Sequence, residues 1–153
     1  MVDEIRKHLI LDLNKIQESK GFDTTTKTVF DTFKSLDEVS PDDCRAWAFQ
    51  TINITSRLVN GNHYEFIWNL AVIHYASIPT DDRRSDIDME LEKGYWDFFK
   101  AVNSQDMKIN LEDVEGLESF EVQGFYADPI HDTVKGMAYI PCQAKFYIDF
   151  THN

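Results

Sequence analysis

The sequence predicts an α+β fold, a mostly antiparallel twisted sheet with a long β-hairpin, packed by an N-terminal helix and a central helix. Three patterns support this prediction. Residues Ala144 to Phe150 alternate apolar and polar side chains, as expected for a half-buried strand whose successive side chains point to opposite faces. Asn60-Gly61 between two apolar runs is typical of a tight hairpin turn. Two segments with apolar residues at helical spacing flank the hairpin.

The chain length and composition favour one globular domain over residues 1–153. Of its 153 residues, 42% are hydrophobic and 13% aromatic, which argues against intrinsic disorder. The formal net charge of −12 repels a phosphate backbone, so sequence-specific nucleic-acid binding is not expected. The charged N-terminus lacks a long apolar segment, so we expect neither a secretion signal nor a membrane span.

The first third of the chain predicts a helix followed by an extended segment. Apolar residues recur at helical spacing at Ile5, Leu9, Leu13 and Ile16. We expect Gly21 to end this helix. The stretch 24–30 contains four Thr, one Val and one Phe and favours extended structure, while the conformation of 30–36 is ambiguous. Ser40 to Asp43 contains Pro and two acidic residues, which predicts a turn.

The hairpin is predicted to join two long strands. The first combines 46–49 with 52–55, with a bulge expected at 50–51. The second covers 64–76 and carries apolar side chains on both faces, so we expect both of its faces to be covered.

The second half of the chain predicts a helix and two further strands. The helix is expected over 86–102, with Ser85 and Asp88 resembling a capping box. Its apolar stripe consists of Ile87, Leu91, Tyr95, Phe98 and Val102, widened by Trp96 and Phe99. A strand is expected around 120–125, and the final strand from about Ala138 to Phe150.

Few residues are candidates for catalysis. Cys44 and Cys142 form no C-x-x-C pair, so we expect buried thiols in a reducing cytoplasm. No histidine is spaced from another His or Cys as metal ligands are, and His74 is expected to be a partly buried side chain with satisfied hydrogen bonds. Asp128, His131 and Asp132 form the one tight acid–imidazole group in the sequence. A surface loop explains it better, because no nucleophile lies nearby in the sequence.

The acidic residues before the central helix are the remaining candidates for metal binding. Asp81, Asp82, Asp86 and Asp88 could hold Mg²⁺ or Ca²⁺, but their spacing matches no calcium loop and the central Gly is missing. Carboxylates near a helix N-terminus are also favoured by the helix dipole. Since the sequence contains no nucleotide-binding or nucleophile-elbow motif, we expect no metal and no cofactor.

The order of predicted elements resembles that of the tail-terminator (tail-completion) proteins of long-tailed bacteriophages. The shared features are an amphipathic helix such as 5–16, an acidic-Pro turn such as 37–41, a hairpin, a helix such as 86–102 and a closing strand such as 144–150. The likeness spans nearly the whole chain but is one of pattern. The family often begins its first strand with Pro-Ala, whereas this chain has Cys44-Arg45-Ala46-Trp47. Other phage connector or tail-tube subunits are therefore alternatives.

The resemblance implies a non-enzymatic structural protein of the virion. Such a protein forms a ring, typically a hexamer, that caps the tail tube, ends tube polymerisation and provides the surface for head–tail joining. Its partners would be further copies of itself, the tail tube protein and the head–tail connector protein, with no membrane partner. It would be assembled in the host cytoplasm and lie in the neck of the tail. A ring of acidic subunits would let DNA pass without specific binding.

Within this interpretation, two groups of residues are candidates for a subunit interface or the channel wall. They are Asp81, Asp82, Arg83 and Arg84 before the central helix, and Lys145, Tyr147 and Asp149 on the polar face of the closing strand. The two arginines could pair with acidic groups of an adjacent subunit or, equally, offset the two preceding aspartates. Loops 103–116 and 126–135 would become ordered on contact with neighbouring subunits.

A second hypothesis belongs to a different class of protein. A cone-shaped α+β domain could bind a small ligand or act as an isomerase, with His74 or Asp149 as its base. Its pocket would be lined by the aromatic cluster Trp47, Phe49, Phe66 and Trp68, although an aromatic core explains this cluster better.

Overall fold

The computed structural model describes residues 1–78, 84–103, 113–128 and 134–150. Within these ranges the chain forms two α-helices and a curled, mostly antiparallel sheet of six strands with a long hairpin, which confirms the predicted fold class. The helices are α1 (Val2–Asn14) and α2 (Arg84–Asn103). The strands are β1 (Thr28–Val29), β2 (Ala46–Asn60), β3 (His63–Ser77), β4 (Leu117–Val122), β5 (Tyr126–Ala127) and β6 (Lys135–Asp149). Their order across the sheet is β1-β2-β3-β6-β4, and β5 pairs with β6 beside β4.

Helix α1 follows the predicted periodicity but ends earlier than expected. Its apolar positions Ile5, Leu9 and Leu13 are fully buried. The helix ends at Asn14, and a separate 3₁₀ turn over Glu18–Lys20 follows it. Gly21 therefore ends this 3₁₀ turn and not the helix. Its φ of 89° is a left-handed conformation, which glycine adopts without strain.

The hairpin is formed by β2 and β3, as predicted, with small shifts in the turn and the bulge. Asn60 pairs with His63, so the two central residues of the turn are Gly61 and Asn62 rather than Asn60 and Gly61. Of these two turn residues, Gly61 has a positive φ, of 49°, and Asn62 does not. The bulge lies at Ile52, between the paired residues on either side, instead of at 50–51. The extended segment 24–30 contributes only the two-residue strand β1, parallel to β2.

Strand β6 lies inside the sheet, between β3 and the pair β4 and β5. It pairs with β3 in register from Ser77↔Lys135 to His63↔Asp149, so it begins three residues before the predicted Ala138. Cys142, Ala144 and Phe146 are buried on the face that the helices cover. Strand β6 is thus held in the middle of the sheet.

The half of the sheet farther from the hairpin turn is covered on both faces. Helices α1 and α2 pack on one face, where Trp47, Trp68 and Leu70 are fully buried. Residues 30–44 pack on the other face over Ile73 and Tyr75, whose hydroxyl donates to the Lys34 carbonyl oxygen at 2.5 Å. The prediction that both faces of β3 are covered is confirmed for this half.

Helix α2 differs from the prediction at its start and on one face. It begins at Arg84, so Ser85 lies within the helix and is not its N-cap. Ile87, Leu91 and Phe98 are buried as predicted, but the side chains of Trp96 and Phe99 are 56% and 38% exposed. These two rings do not widen the buried stripe, since they lie on the part of the helix that faces away from the sheet.

Candidate assembly surface

The long strands extend beyond the helices that cover them. A 15-residue strand spans roughly 50 Å, whereas the 13-residue α1 spans roughly 20 Å. We call the part of the sheet nearer the hairpin turn the distal arm: residues 51–60 of β2, 63–69 of β3 and 143–149 of β6. Glu65, Trp68, Ala144 and Phe146 within it are buried, and its other residues are partly or fully exposed. Every residue of β2 from Thr51 to Asn60 is exposed. The distal arm therefore offers much of its surface to solvent in the isolated chain.

One face of the distal arm carries a row of amide side chains that crosses three strands. Asn69 Nδ2 donates to Asn53 Oδ1 at 2.8 Å, and Gln143 Nε2 donates to Asn69 Oδ1 at 3.1 Å. The backbone register extends this row to Glu121 on β4. All donors point toward β2, so the row has a direction, from an acidic residue at the β4 edge to an amide at the β2 edge.

A second row on the same face is built from charged groups. Arg57 lies 3.4 Å from the Glu65 carboxylate, which accepts a hydrogen bond from the Tyr147 hydroxyl at 3.0 Å. The Glu118 carboxylate is a second neighbour of the same hydroxyl. The hydrogen bond from Tyr147 lowers the pKa of Glu65, while the two neighbouring carboxylates raise the pKa of Tyr147 to about 12. This row runs from the Arg57 cation on β2 to the Glu118 carboxylate on β4.

The predicted candidates on the closing strand lie on this polar face. Tyr147 belongs to the charged row, an Asp149 carboxylate oxygen lies 2.9 Å from Nε2 of His63, and Lys145 lies beside Ile67 in the register. The alternation of the strand thus placed all three on one side. Their role in a channel or an interface stays a prediction.

The opposite face of the distal arm is mainly apolar. Its residues include Ile54, Leu58, Tyr64, Phe66, Phe146 and Ile148, with Ser56 as a polar neighbour, and the ring of Phe150 packs at its end. Phe66 and Phe146 stack with ring centroids 5.4 Å apart. Ile54 and Leu58 are 49% and 55% exposed, and a shallow depression of about 330 Å³ lies between this face and the start of α1. The exposed residues of this face are Ile54, Leu58 and Phe150, while Phe146 is buried and the remaining rings are partly buried. Exposed apolar residues that adjoin one another in this way favour an interaction surface.

The candidates before α2 cannot be placed on this surface. Asp81, Asp82 and Arg83 lie outside the described residues, and Arg84 begins α2 without a described side chain. Of the acid–imidazole group, Asp128 is described, whereas His131 and Asp132 are outside the described ranges. Among the residues that the structure describes, no group of three or more His, Cys, Asp or Glu could hold a metal ion. No helix in the same ranges is long and apolar enough to cross a membrane.

A buried polar cluster joins α2 to the sheet. Arg45 bonds the Glu90 carboxylate and donates to the Glu90 carbonyl oxygen at 2.7 Å, and its guanidinium lies 3.3 Å from Nε2 of His74. His74 is fully buried, not partly buried as predicted, because its ring lies between Trp47 and the backbone of Gly94. Burial and the adjacent Arg45 charge lower the pKa of His74 well below its usual value.

A second buried group fixes the segment after Gly21 to the same helix. Asp97 is almost completely buried and accepts hydrogen bonds from the backbone N–H of Asp23 at 3.1 Å and of Thr24 at 2.8 Å. The Thr24 hydroxyl donates to it at 2.5 Å. Three donors thus satisfy one buried carboxylate, which is the arrangement expected of a structural group.

Sequence reasoning missed both buried groups and the distal arm. The buried groups join residues far apart in the chain, so no local pattern marks them. The distal arm, in contrast, coincides with an unusual charge pattern in the sequence. Residues 44–64 contain no Asp or Glu, in a chain that has 27 of them. A neutral to basic segment of this length stands out in an acidic chain, and it contains the exposed β2 residues of the arm.

Comparisons with known proteins place the chain in no family. A scan against protein-family models found no match, and a search of curated proteins found no significant match.

Proposed function

We propose that this chain is a bacteriophage tail-terminator subunit that forms a ring, typically a hexamer, on the end of the tail tube. The ring ends tube polymerisation and provides the surface on which the head connector joins the tail. The observation that carries the proposal is the distal arm, a three-stranded ribbon whose β2 residues, 51–60, are all exposed in the isolated chain. A ribbon with an apolar face and an ordered polar face is suited to assembly with other subunits.

The order of elements gives further support. The chain has an N-terminal helix, a long hairpin, a second helix and a closing strand inside the sheet, which is the order on which the resemblance rests. The polar face of the arm offers hydrogen-bonding groups to a channel or a neighbour. With a net charge of −12 on each subunit, the ring repels DNA and lets it pass without adhering.

Electron microscopy of the protein mixed with purified tail tubes tests the proposal. We expect a ring at one end of each tube and, when the protein is added during tube polymerisation, shorter tubes. Arg57→Glu should abolish capping, because it adds negative charge to the exposed arm. Lys20→Glu, which makes the same charge change on an exposed residue away from the arm, should cap as the parent does. Uncapped tubes of unchanged length at saturating protein would refute the proposal.

The same experiment separates the proposal from its alternatives. A tail-tube subunit would be incorporated along the tubes, and another connector would bind heads rather than tubes. The small-ligand or isomerase hypothesis is less favoured because Trp47 and Trp68 are fully buried within the hydrophobic core. His74 is fully buried, and Asp149 is engaged with His63 on an open surface.

A further inference from the structure

We propose that copies of this chain associate head to tail, by antiparallel pairing of the β2 edge of one copy with the β4 edge of the next. This inference rests on the self-association part of the proposed function and is independent of the tail tube. It specifies which edges meet, in which register and through which side chains.

Both edges are open within the described residues. Strand β1 and its flanking residue cover β2 only as far as Trp47, so the β2 edge from Ala48 to Asn60 pairs with no described strand. Strand β4 pairs with β6 on one side only. Such edges present unpaired backbone N–H and C=O groups, which favour the addition of a further strand. Because β2, β3, β6 and β4 alternate in direction, a continued sheet places β4 antiparallel to the next β2.

The two edges are complementary in charge. The β2 strand contains no acidic residue and one arginine, Arg57, whose side chain is 72% exposed. Residues 113–122, which include β4, contain four acidic residues and no lysine or arginine. Pairing β2 with β2 would bring arginines together, and pairing β4 with β4 would bring carboxylates together. Opposite charges therefore favour the mixed contact over either symmetric contact.

One register satisfies both polar rows and the apolar face. Continuing each row of the sheet into the next copy places Asn53 of one copy opposite Glu121 of the other. The Asn53 amide nitrogen takes no part in the bond with Asn69, so it can donate to the Glu121 carboxylate. The same register brings Arg57 beside Glu118, since Glu118 lies at the irregularity of β4 that shifts the pairing by one residue. A shift by two residues, which preserves the faces, would lose both contacts.

The apolar face follows the same register. Ile54 and Phe120 occupy the same row of the sheet, so they become neighbours across the contact. The contact is confined to the distal arm, because β1 occupies the β2 edge at Ala46 and Trp47. The bulge at Ile52 lies at this boundary, and a bulge bends its strand and increases its twist. This bend lets the neighbouring sheets diverge where β1 begins.

Cysteine cross-linking tests the register. In a Cys44→Ser background, Asn53→Cys and Glu121→Cys are placed in separate chains, which are mixed at millimolar concentration and oxidised. Directly opposed residues have Cβ atoms roughly 5 Å apart, so we expect a disulfide-linked heterodimer. Each chain alone should remain uncross-linked. Thr55→Cys mixed with Glu121→Cys, which the register places two rows apart, is the matched control and should give at least several-fold less cross-linking.

Charge exchange tests the same contact without a covalent bond. Arg57→Glu and Glu118→Arg should each abolish association in sedimentation velocity, and the double variant should recover it. Glu92→Arg, on an exposed part of α2, should associate as the parent does. Linkage of position 53 to 53 or of 121 to 121, or no 53–121 linkage at the highest concentration, would overturn the inference. Linkage of 53 to 121 without capping of tubes would overturn the proposed function and leave this contact standing.

Discussion

Gly94 gives the sharpest test of how α2 is held on the sheet. A Cβ atom at this position would lie 2.1 Å from Nε2, 2.3 Å from Cδ2 and 2.9 Å from Cε1 of the His74 ring. The ring cannot retreat, because Trp47 lies on it with centroids 4.1 Å apart. In Gly94→Ala, therefore, α2 itself must move outward, and with it the Arg45–Glu90 contact.

The expected cost follows from two opposing terms. Overpacking a filled core costs typically 1–3 kcal/mol, and three contacts this short place the site at about 3 kcal/mol. Replacing Gly with Ala inside a helix recovers about 1 kcal/mol. We therefore expect Gly94→Ala to lose about 2 kcal/mol of unfolding free energy, or roughly 4–8 °C in Tm for a chain of this size.

Urea denaturation followed by circular dichroism measures this loss, and a second background reveals its cause. In a His74→Ala chain the clashing ring is absent, so Gly94→Ala should there raise the unfolding free energy by up to about 1 kcal/mol. The sign of the substitution thus reverses between the two backgrounds. An equal effect in both, or a stabilisation in the parent chain, would refute the packing of α2 on His74.

Three further predictions concern other buried groups. Asp97→Ala leaves three buried donors without an acceptor and should cost about 3 kcal/mol in urea denaturation, while Asp97→Asn, which keeps one acceptor, should cost clearly less. Burial lowers the pKa of His74 in the folded state, so protonation of the unfolded chain should remove stability as pH falls below about 6.5. Relative to His74→Gln, the parent should lose on the order of 1 kcal/mol between pH 7 and 5.5, and parallel pH profiles would contradict this. Cys44 should react slowly with a thiol reagent in the native protein, whereas Cys142, whose thiol pKa is raised by burial, should react only in denaturant; fast labelling of both would contradict the fold.

The elements that the sequence predicted best are those whose signal is local. Alternation in the closing strand and helical spacing of Ile5, Leu9 and Leu13 depend only on near neighbours, and both were confirmed. The turn at Gly61 was displaced by one residue because two-residue turns at neighbouring positions share the same residue preferences. Helix α1 ended early since the segment after Asn14 is fixed by distant contacts, among them that of Thr24 with Asp97.

The candidate surface was predictable in part. Alternation alone placed Lys145, Tyr147 and Asp149 on one face, but it could not show which residues they meet. Those partners depend on the register between β3 and β6. This register is determined by the pairing of the two whole strands, so residues 144–150 alone do not reveal it. The exposure of Trp96 was unpredictable for the same reason, since helical spacing does not show how wide a stripe the sheet can cover.

The distal arm poses a physical problem that the proposed contact resolves. An isolated ribbon with open edges and an apolar face is prone to non-specific pairing, and soluble proteins usually protect such edges with charges, prolines or covering segments. Within the described residues, β2 beyond Trp47 has one charged residue and no proline. Because the charge of β2 is opposite to that of β4, the β2 edge favours pairing with a β4 edge and disfavours pairing with another β2 edge. An edge that is left open but matched in charge and register to the other edge of the same sheet is what repeated head-to-tail assembly requires, because a heterologous contact can close into a ring only if each copy carries both halves of it.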